Sequence, residues 1–317
     1  MMIYDRNFLG RKAKELGFVR DTFEKVCRLV DILNFIENDQ LLRDKIALKG
    51  GTAINLTMMD LPRLSVDIDL DYVGSLNREQ MLADREEINT HFFKYLKAND
   101  YNLSLKSKSY FALDSRVYEY KNAGNVKDNL KIEINYMLRT HALELQKRQI
   151  SLQWLLDPIN VLCVNPIEIF GTKIVALLTR AAARDLYDVY NMIQYRLFKG
   201  DDLKELEKCV AFYSAVSAEH APTGYRLDNI DSITMQKIKT DLYPVLRNSE
   251  RFDLKNTQEI IKTYIMDNFL TNENIIEFWN GFNKGIYKPE LLFDGLELER
   301  VKEHPMAIWK CTSKIKA

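Results

Sequence analysis

The sequence predicts an α/β amino-terminal half with a mixed sheet, followed by a helical carboxy-terminal half. Three observations carry this reading. A glycine pair, Gly50-Gly51, stands between a short apolar run and a helical pattern, with a strand beyond; two later segments alternate with a period of two; and the texture turns wholly helical after about residue 165.

Taken in order, Phe23, Val26, Cys27, Val30 and Leu33 recur at helical spacing across 21–36, and Met81, Ile88, Phe92 and Tyr95 repeat the pattern across 77–97. Both segments read as amphipathic helices. Between them Ile46-Ala47-Leu48 is a short buried strand, Gly50-Gly51 a break, 52–58 a helical segment and 65–72 a second strand. Residues 111–120 and 130–136 alternate, and the turn-forming Ala123-Gly124-Asn125 between them predicts a hairpin extending the same sheet. Asn165-Pro166 then supplies an N-cap with proline at the first helical position. The division expected is an α/β core with amino-terminal helices over 1–160 and a helical domain over 161–317, without an obvious flexible linker.

A chain of 317 residues that is 46% apolar has ample material for two cores. Its 45 basic residues balance 45 acidic ones, so a polyanion would have to be held by a local patch and not by the field of the whole molecule. Cys27, Cys163, Cys209 and Cys311 lie far apart with no CxxC spacing, which reads as free thiols in a reducing compartment. Asp5, Arg6, Arg11 and Lys12 stand where a signal peptide needs its apolar region, and no apolar run approaches the roughly 18 residues of a membrane span. A cytoplasmic protein without a membrane partner is expected.

The chemistry-bearing residues fall in four places. On the strand over 65–72, alternation puts Ser65, Asp67 and Asp69 on one face and Val66, Ile68 and Leu70 on the other. Paired carboxylates repel unless a hard divalent cation sits between them, and magnesium is the natural occupant; a solvated polar face is the plain alternative. Upstream, Lys49-Gly50-Gly51-Thr52 lies between strand and helix, where glycines let the backbone approach a polyphosphate and Thr52 adds a hydroxyl; an ordinary turn capped by Thr52 would look the same. Glu133 shares a strand face with Lys131 and Asn135, and could complete a metal site or accept the proton of an attacking hydroxyl, or form a salt bridge. In the helix after Pro166, Lys173, Arg180 and Arg184 fall at i, i+7 and i+11, one narrow stripe beside Phe170, Ile174, Leu177 and Ala181. These cations face triphosphate or RNA, or merely cover apolar surface. Asp185, with Asp188 three residues on, also fits the N-cap of a new helix.

Together GGTAINLTMMDLPRLSVDIDLDY (50–72), KIEIN (131–135) and KIVALLTRAAARDLYDVY (173–190) resemble the AbiEii/AbiGii family of nucleotidyltransferase toxins, and HPMAIWK (304–310) resembles that family's carboxy terminus. The resemblance runs from about residue 45 to the end. It implies a polymerase-β-like core with a helical companion domain. For the residues it implies Gly50, Gly51 and Thr52 at phosphates, Asp67 and Asp69 at the metal, Lys173 at the nucleotide, and Asp185 or Asp188 as a late catalytic acid. Arg63 and Ser65, placed on the strand face of Asp67, join the site, with Arg180 and Arg184 as further phosphate contacts and Glu133 as a less secure third ligand. The function implied is a magnesium-dependent toxin of a type IV-like toxin–antitoxin or phage-defence module. It would transfer a nucleotide from an NTP to RNA, with the tRNA 3′ end as the expected acceptor and a cognate antitoxin as partner. Two rivals stand beside it: transfer to a small molecule, as antibiotic nucleotidyltransferases perform, and a non-catalytic nucleotide-binding module. An RNA surface would draw on Arg247, Arg251, Lys255 and Lys262, then Tyr287-Lys288, Trp309-Lys310, Lys314 and Lys316.

Overall fold

The computed structural model describes residues 5–150, 152, 154–155, 157–269 and 271–315. It opens with two helices, α1 (Arg6–Leu16) and α2 (Arg20–Asn38), the first N-capped by Asp5, which accepts from the Phe8 amide. The anticipated order follows: strand β1 (Ile46–Lys49), a single α-turn α3 (Gly50–Ala53), strand β2 (Asp67–Tyr72) and helix α4 (Arg78–Ala98). Residues 54–58, read as helix, continue α3 as a π-helical turn. Next come the short strands β3 (Asn102–Leu103) and β4 (Lys108–Ser109), then the predicted hairpin, β5 (Leu113–Lys121) and β6 (Lys127–Asn135). Strands β7 (Gln146–Ile150) and β8 (Ile159–Cys163) were not anticipated, since Gln146-Lys147-Arg148-Gln149 carries no apolar alternation.

All eight strands form one mixed sheet in the order β3-β5-β6-β2-β1-β8-β7, with β4 also on β5. β2 runs antiparallel to β1 and parallel to β6, and β1 runs parallel to β8. Ile46, Leu48, Ile68, Leu70, Tyr72, Ile132 and Ile134 are each no more than 2% exposed and line one sheet face. Helices α2 and α4 bring Phe23, Val26, Val30, Ile88 and Phe92 into the same core. Polar ties fix this layer. Tyr72 donates to Asp84 of α4 at 2.5 Å, and Arg85 of α4 grips Asp114 of β5 at 2.7 Å.

The chain divides into two compact units, one comprising Met1–Arg139, Leu145–Val164 and Tyr243–Glu250, the other Thr140–Glu144, Asn165–Leu242 and Arg251–Ala317. In the first, the late segment clamps the approach to β2: Leu64 donates to the Val245 carbonyl at 2.8 Å, Arg63 pairs with Leu246, and Asn248 donates to the Gly17 carbonyl at 2.7 Å. In the second, every regular element among the described residues is helical. The longer ones are α5 (Pro166–Arg180), α6 (Ala183–Gln194) and α7 (Asp201–Ser217), the turns α8 (Asp228–Asp231) and α9 (Met235–Lys237) follow, then α10 (Leu254–Asn268), α11 (Glu273–Asn283), α12 (Gly295–Val301) and α13 (Pro305–Ile315). α5 begins as read, with Asn165 accepting from the Ile167 amide and Pro166 at its first position. Phe212, Phe278, Trp279, Phe282 and Phe293 make its aromatic core, in which the Trp279 indole donates to the Ala211 carbonyl at 2.8 Å. Glu168, buried completely, accepts from His141, the Leu143 amide and Tyr213, which ties residues 140–144 to α5. The four cysteines are free and buried, and no described helix is long and apolar enough to cross a membrane.

The hairpin that carries β6 is anchored from behind by Glu24 of α2, which is fully buried and accepts from the Ala123 amide at 2.9 Å and from Arg28 Nε at 2.9 Å. Removing that carboxylate leaves a buried guanidinium short of its charge partner, a loss on the order of 3 kcal/mol. Glu24→Ala is therefore expected to lower the urea unfolding free energy by about that amount, and Glu24→Gln by less.

Candidate active site

The acidic strand is the centre of the first unit's polar face. Asp67, Asp69 and Asp71 alternate along β2, and only the last is fully buried. Pairing with β6 puts Lys131 opposite Asp67, Glu133 opposite Asp69 and Asn135 opposite Asp71. Residues paired in a ladder point to the same side, so Asp67, Asp69 and Glu133 share one face, as the alternation implied. Lys49, opposite Asp69 at the end of β1, reaches diagonally and donates to Asp71 at 2.5 Å. The Lys49–Asp71 pair was not anticipated, although the period-two pattern that exposed Asp67 and Asp69 runs on to Asp71.

The glycine turn closes onto this face. Gly50 has φ +68°, a left-handed conformation, and a Cβ there would lie 2.5 Å from Asp69 Oδ2. At Gly51 a Cβ would lie 2.7 Å from the Arg63 guanidinium. Thr52 is fully buried, and its hydroxyl donates to the Asp67 carbonyl and shares a hydrogen bond with the Ser65 hydroxyl at 2.9 Å, so it braces the start of β2. Asn55, four residues beyond Gly51, donates to the Gly51 carbonyl at 2.7 Å and accepts from the Arg63 amide at 3.3 Å. The sequence reading missed Asn55, which helical spacing from Gly51 could have signalled.

Three expectations need correction here. Arg63 and Ser65 do not share a strand face with Asp67, because β2 begins only at Asp67; Arg63 is 2% exposed and donates to the Leu64 carbonyl at 3.0 Å. Glu133 does not close with Asp67 and Asp69 into a three-donor site, and among the described residues no group of three His, Cys, Asp or Glu could hold a metal. Glu133 is instead paired with Lys131, whose ammonium lies 2.9 Å from Glu133 Oε2. Burial pulls the Lys131 pKa down, yet the hydrogen bond to Glu133, and the charges of Glu133, Asp67 and Asp69, together raise it above the ordinary lysine value. Third, Arg184 is not on a stripe with Lys173 and Arg180.

That last correction lies in the second unit. α5 stops at Arg180, Ala181 turns left-handed (φ 50°), and α6 starts at Ala183 with Ala182 as its N-cap. Asp185 is thus inside the new helix and not its cap. In one straight helix Lys173 and Asp185 would be roughly 18 Å apart at 1.5 Å per residue. The break folds the chain back, so that Lys173 lies 2.9 Å from Asp185 and 3.2 Å from Asp188, and Arg180 lies 2.8 Å from Asp185. Arg184 instead donates to the Asp241 carbonyl at 2.9 Å. Burial raises the Asp185 carboxyl, but Lys173 and then Arg180 outweigh it and hold it below the usual range.

The cations expected to form an RNA surface are mostly engaged. Arg247 donates to the Asp60 and Leu61 carbonyls, Lys262 pairs with Asp231 and Glu259, Lys288 with Glu277, and Lys310 and Lys314 donate to the Ala218 and Phe282 carbonyls. Trp309 is 56% exposed, while Lys316 lies outside the described residues.

In the first unit, then, one strand delivers a glycine turn onto an acidic strand of a mixed sheet, while the second unit is helical. The sequence matches the nucleotidyl transferase AbiEii toxin family of type IV toxin–antitoxin systems over residues 34–263, well over half of the chain, and the chain belongs to that family. Its activity class is nucleotidyl transfer. Among solved structures it is similar to MenT4, a nucleotidyltransferase toxin from Mycobacterium tuberculosis H37Rv, with a TM-score of 0.63 and 12% identity over 96% of this chain and 98% of that one. At that identity the likeness is one of fold. No curated protein matches the sequence.

Two outcomes follow from the geometry. Gly50→Ala places a methyl group against Asp69 and forces a left-handed backbone on alanine, so a fall in stability of about 1–2 kcal/mol is expected in thermal melts, with loss of transfer. Lys173→Met leaves two buried carboxylates short of a cation, and should cost about 3 kcal/mol in urea unfolding at pH 7. Because the folded Asp185 pKa is depressed, its contribution is fully present above the unfolded carboxylate value near 4 and is lost as pH falls through the lower folded value. The stability gap between wild type and Lys173→Met should therefore narrow below about pH 4, as urea titrations at pH 7 and pH 3 would show.

Proposed function

We propose that this toxin is a magnesium-dependent enzyme that transfers a nucleotide from an NTP to RNA, with the 3′ end of tRNA as its acceptor. The observation that carries the chemistry is the single polar face on which Asp67 and Asp69 project beside Glu133, under the Gly50 turn. These residues fit magnesium. Their donors are all oxygens, the missing Cβ of Gly50 leaves room against Asp69, and magnesium needs only one or two carboxylates because it keeps waters and substrate phosphates in its shell. An all-protein cage, which the described residues do not form, is not required.

The reaction joins an acceptor hydroxyl oxygen to the α-phosphorus of the NTP and breaks the bond to the β-phosphate oxygen, so pyrophosphate leaves and the hydroxyl proton passes to a base. Asp67 and Asp69 would hold the metal, whose positive charge, when it is bound, offsets charge developing on the phosphoryl oxygens. Gly50 and Gly51 let backbone approach the phosphates, and Thr52 keeps that turn in register with Asp67. Glu133, beside Asp69, is the carboxylate assigned to the hydroxyl proton. In the second unit, Lys173 with Asp185 and Asp188 is assigned a part in triphosphate use, with Arg180 assisting at the leaving phosphates. The reaction belongs to the cytoplasm, where NTPs and tRNA are found, and a cognate antitoxin would restrain it, in a module that could equally serve phage defence.

A second reading, transfer to a small hydroxylated acceptor, is favoured by one observation: most of the cations available for RNA are paired with other groups of this chain, in part through exposed ion pairs. Labelled NTPs incubated with magnesium and either total RNA or small hydroxylated acceptors separate the two. Labelled RNA is expected, with transfer falling steeply between 50 and about 200 mM salt as counterions compete for phosphate contacts. A label found only on a small molecule, with a shallow salt dependence, would establish the second reading. Asp67→Asn and Asp69→Asn should each abolish transfer while leaving the fold as stable or more so, since each relieves like-charge repulsion. Lys173→Ala should reduce triphosphate use far more than Arg196→Ala, whose arginine is exposed beyond α6. Equal losses would deny Lys173 its role.

A further inference from the structure

On the acidic face, four charged side chains form a two-by-two square across β2 and β6: Lys131 stands beside Asp67, and Glu133 beside Asp69. The ammonium of Lys131 donates to Glu133 at 2.9 Å, with the two side chains 38% and 26% exposed. On the far side of β6, β5 sets Ser115 beside Glu133 and Val117 beside Lys131, so that strand offers this ammonium no rival carboxylate at those positions. A lysine has donors only, and its charge is a compact point on a flexible stem. It occupies the same acidic face, opposite Asp67 in the ladder, that a divalent cation on Asp67 and Asp69 would share, and like charges on one face repel.

We propose that Lys131 is the resident counter-ion of this face: it holds Glu133 while no divalent ion is present and opposes the entry of one. Ion binding then displaces the ammonium from the face and frees Glu133 from its partner, which couples occupancy of the Asp67 and Asp69 pair to availability of the Glu133 carboxylate. The weak resting affinity that results is a property of the chain and not of the substrate. This inference rests on the divalent-ion reading given above.

The test is a Mn2+ titration of the full chain without nucleotide, followed by calorimetry and by the paramagnetic signal of free Mn2+, in wild type, Lys131→Met, Lys131→Arg, Glu133→Gln and Asp69→Asn. Removing the positive charge is expected to tighten Mn2+ binding at least about tenfold, and retaining it as arginine to leave the affinity within about twofold of wild type. Glu133→Gln should weaken binding, because Lys131 then turns to the aspartates. Melting temperatures in EDTA and in Mn2+ give a second readout, since Lys131→Met should gain more from the ion than wild type does. If wild type binds Mn2+, Asp69→Asn abolishes that binding and Lys131→Met binds no more tightly, the counter-ion assignment fails alone. Should Lys131→Met not fold, a Glu133→Gln variant that binds as tightly as wild type overturns the assignment instead. If wild type binds no Mn2+, or Asp69→Asn leaves binding unchanged, the divalent-ion reading itself fails and this inference falls with it.

Discussion

Like charge gathered on one face of a sheet is the constraint around which the first unit is arranged. Asp67, Asp69, Asp71 and Glu133 occupy alternate positions of two paired strands, and carboxylates so placed destabilise one another unless cations or hydrogen bonds intervene. Two lysines answer part of that charge from within the sheet, Lys49 at Asp71 and Lys131 at Glu133. The remainder of the construction serves to hold the face in shape. Thr52 fixes the start of β2, Asn55 and the buried Arg63 support the glycine turn, and Glu24 anchors the hairpin that brings β6 alongside.

The second unit solves a similar problem in another way. Asp185 and Asp188 are almost wholly buried and are held by Lys173 and Arg180, which requires the chain to double back within a few residues. Arg180-Ala181-Ala182-Ala183 has the highest helix propensity available, and on local grounds it would continue straight. Yet Ala181 is left-handed, and the turn it makes accompanies the ion pairs of Lys173 and Arg180 with Asp185. Helical spacing counted across residues 173–184 therefore puts Arg184 on a stripe that does not exist.

What was legible in the sequence is what local pattern encodes. The strand, glycine turn and acidic strand could be read because alternation and glycine punctuation act over a few residues, and the hairpin because its turn residues are explicit. The shared face of Asp67, Asp69 and Glu133 followed from period two plus the assumption of one sheet. The grip of Lys131 on Glu133 was not legible, since it depends on how side chains settle once β2 and β6 are in register. Strand β7 escaped for a different reason: Gln146-Lys147-Arg148-Gln149 presents no apolar alternation, and its pairing comes from β8, whose alternating Ile159, Val161 and Cys163 were legible but overlooked. Nor does anything local to Tyr243–Glu250 announce that it belongs beside Leu64.

That distant segment bears on how the protein is made. A ribosome delivers the chain from its amino terminus, and residues 50–72 emerge long before Val245 and Leu246 exist to pair with Leu64 and Arg63. The support for the acidic strand is thus completed only after some 180 further residues have been synthesised, when Arg247 can also reach the Asp60 and Leu61 carbonyls. A nascent or prematurely terminated chain lacks that support, and the order of synthesis itself delays the moment at which the cell holds a finished acidic face.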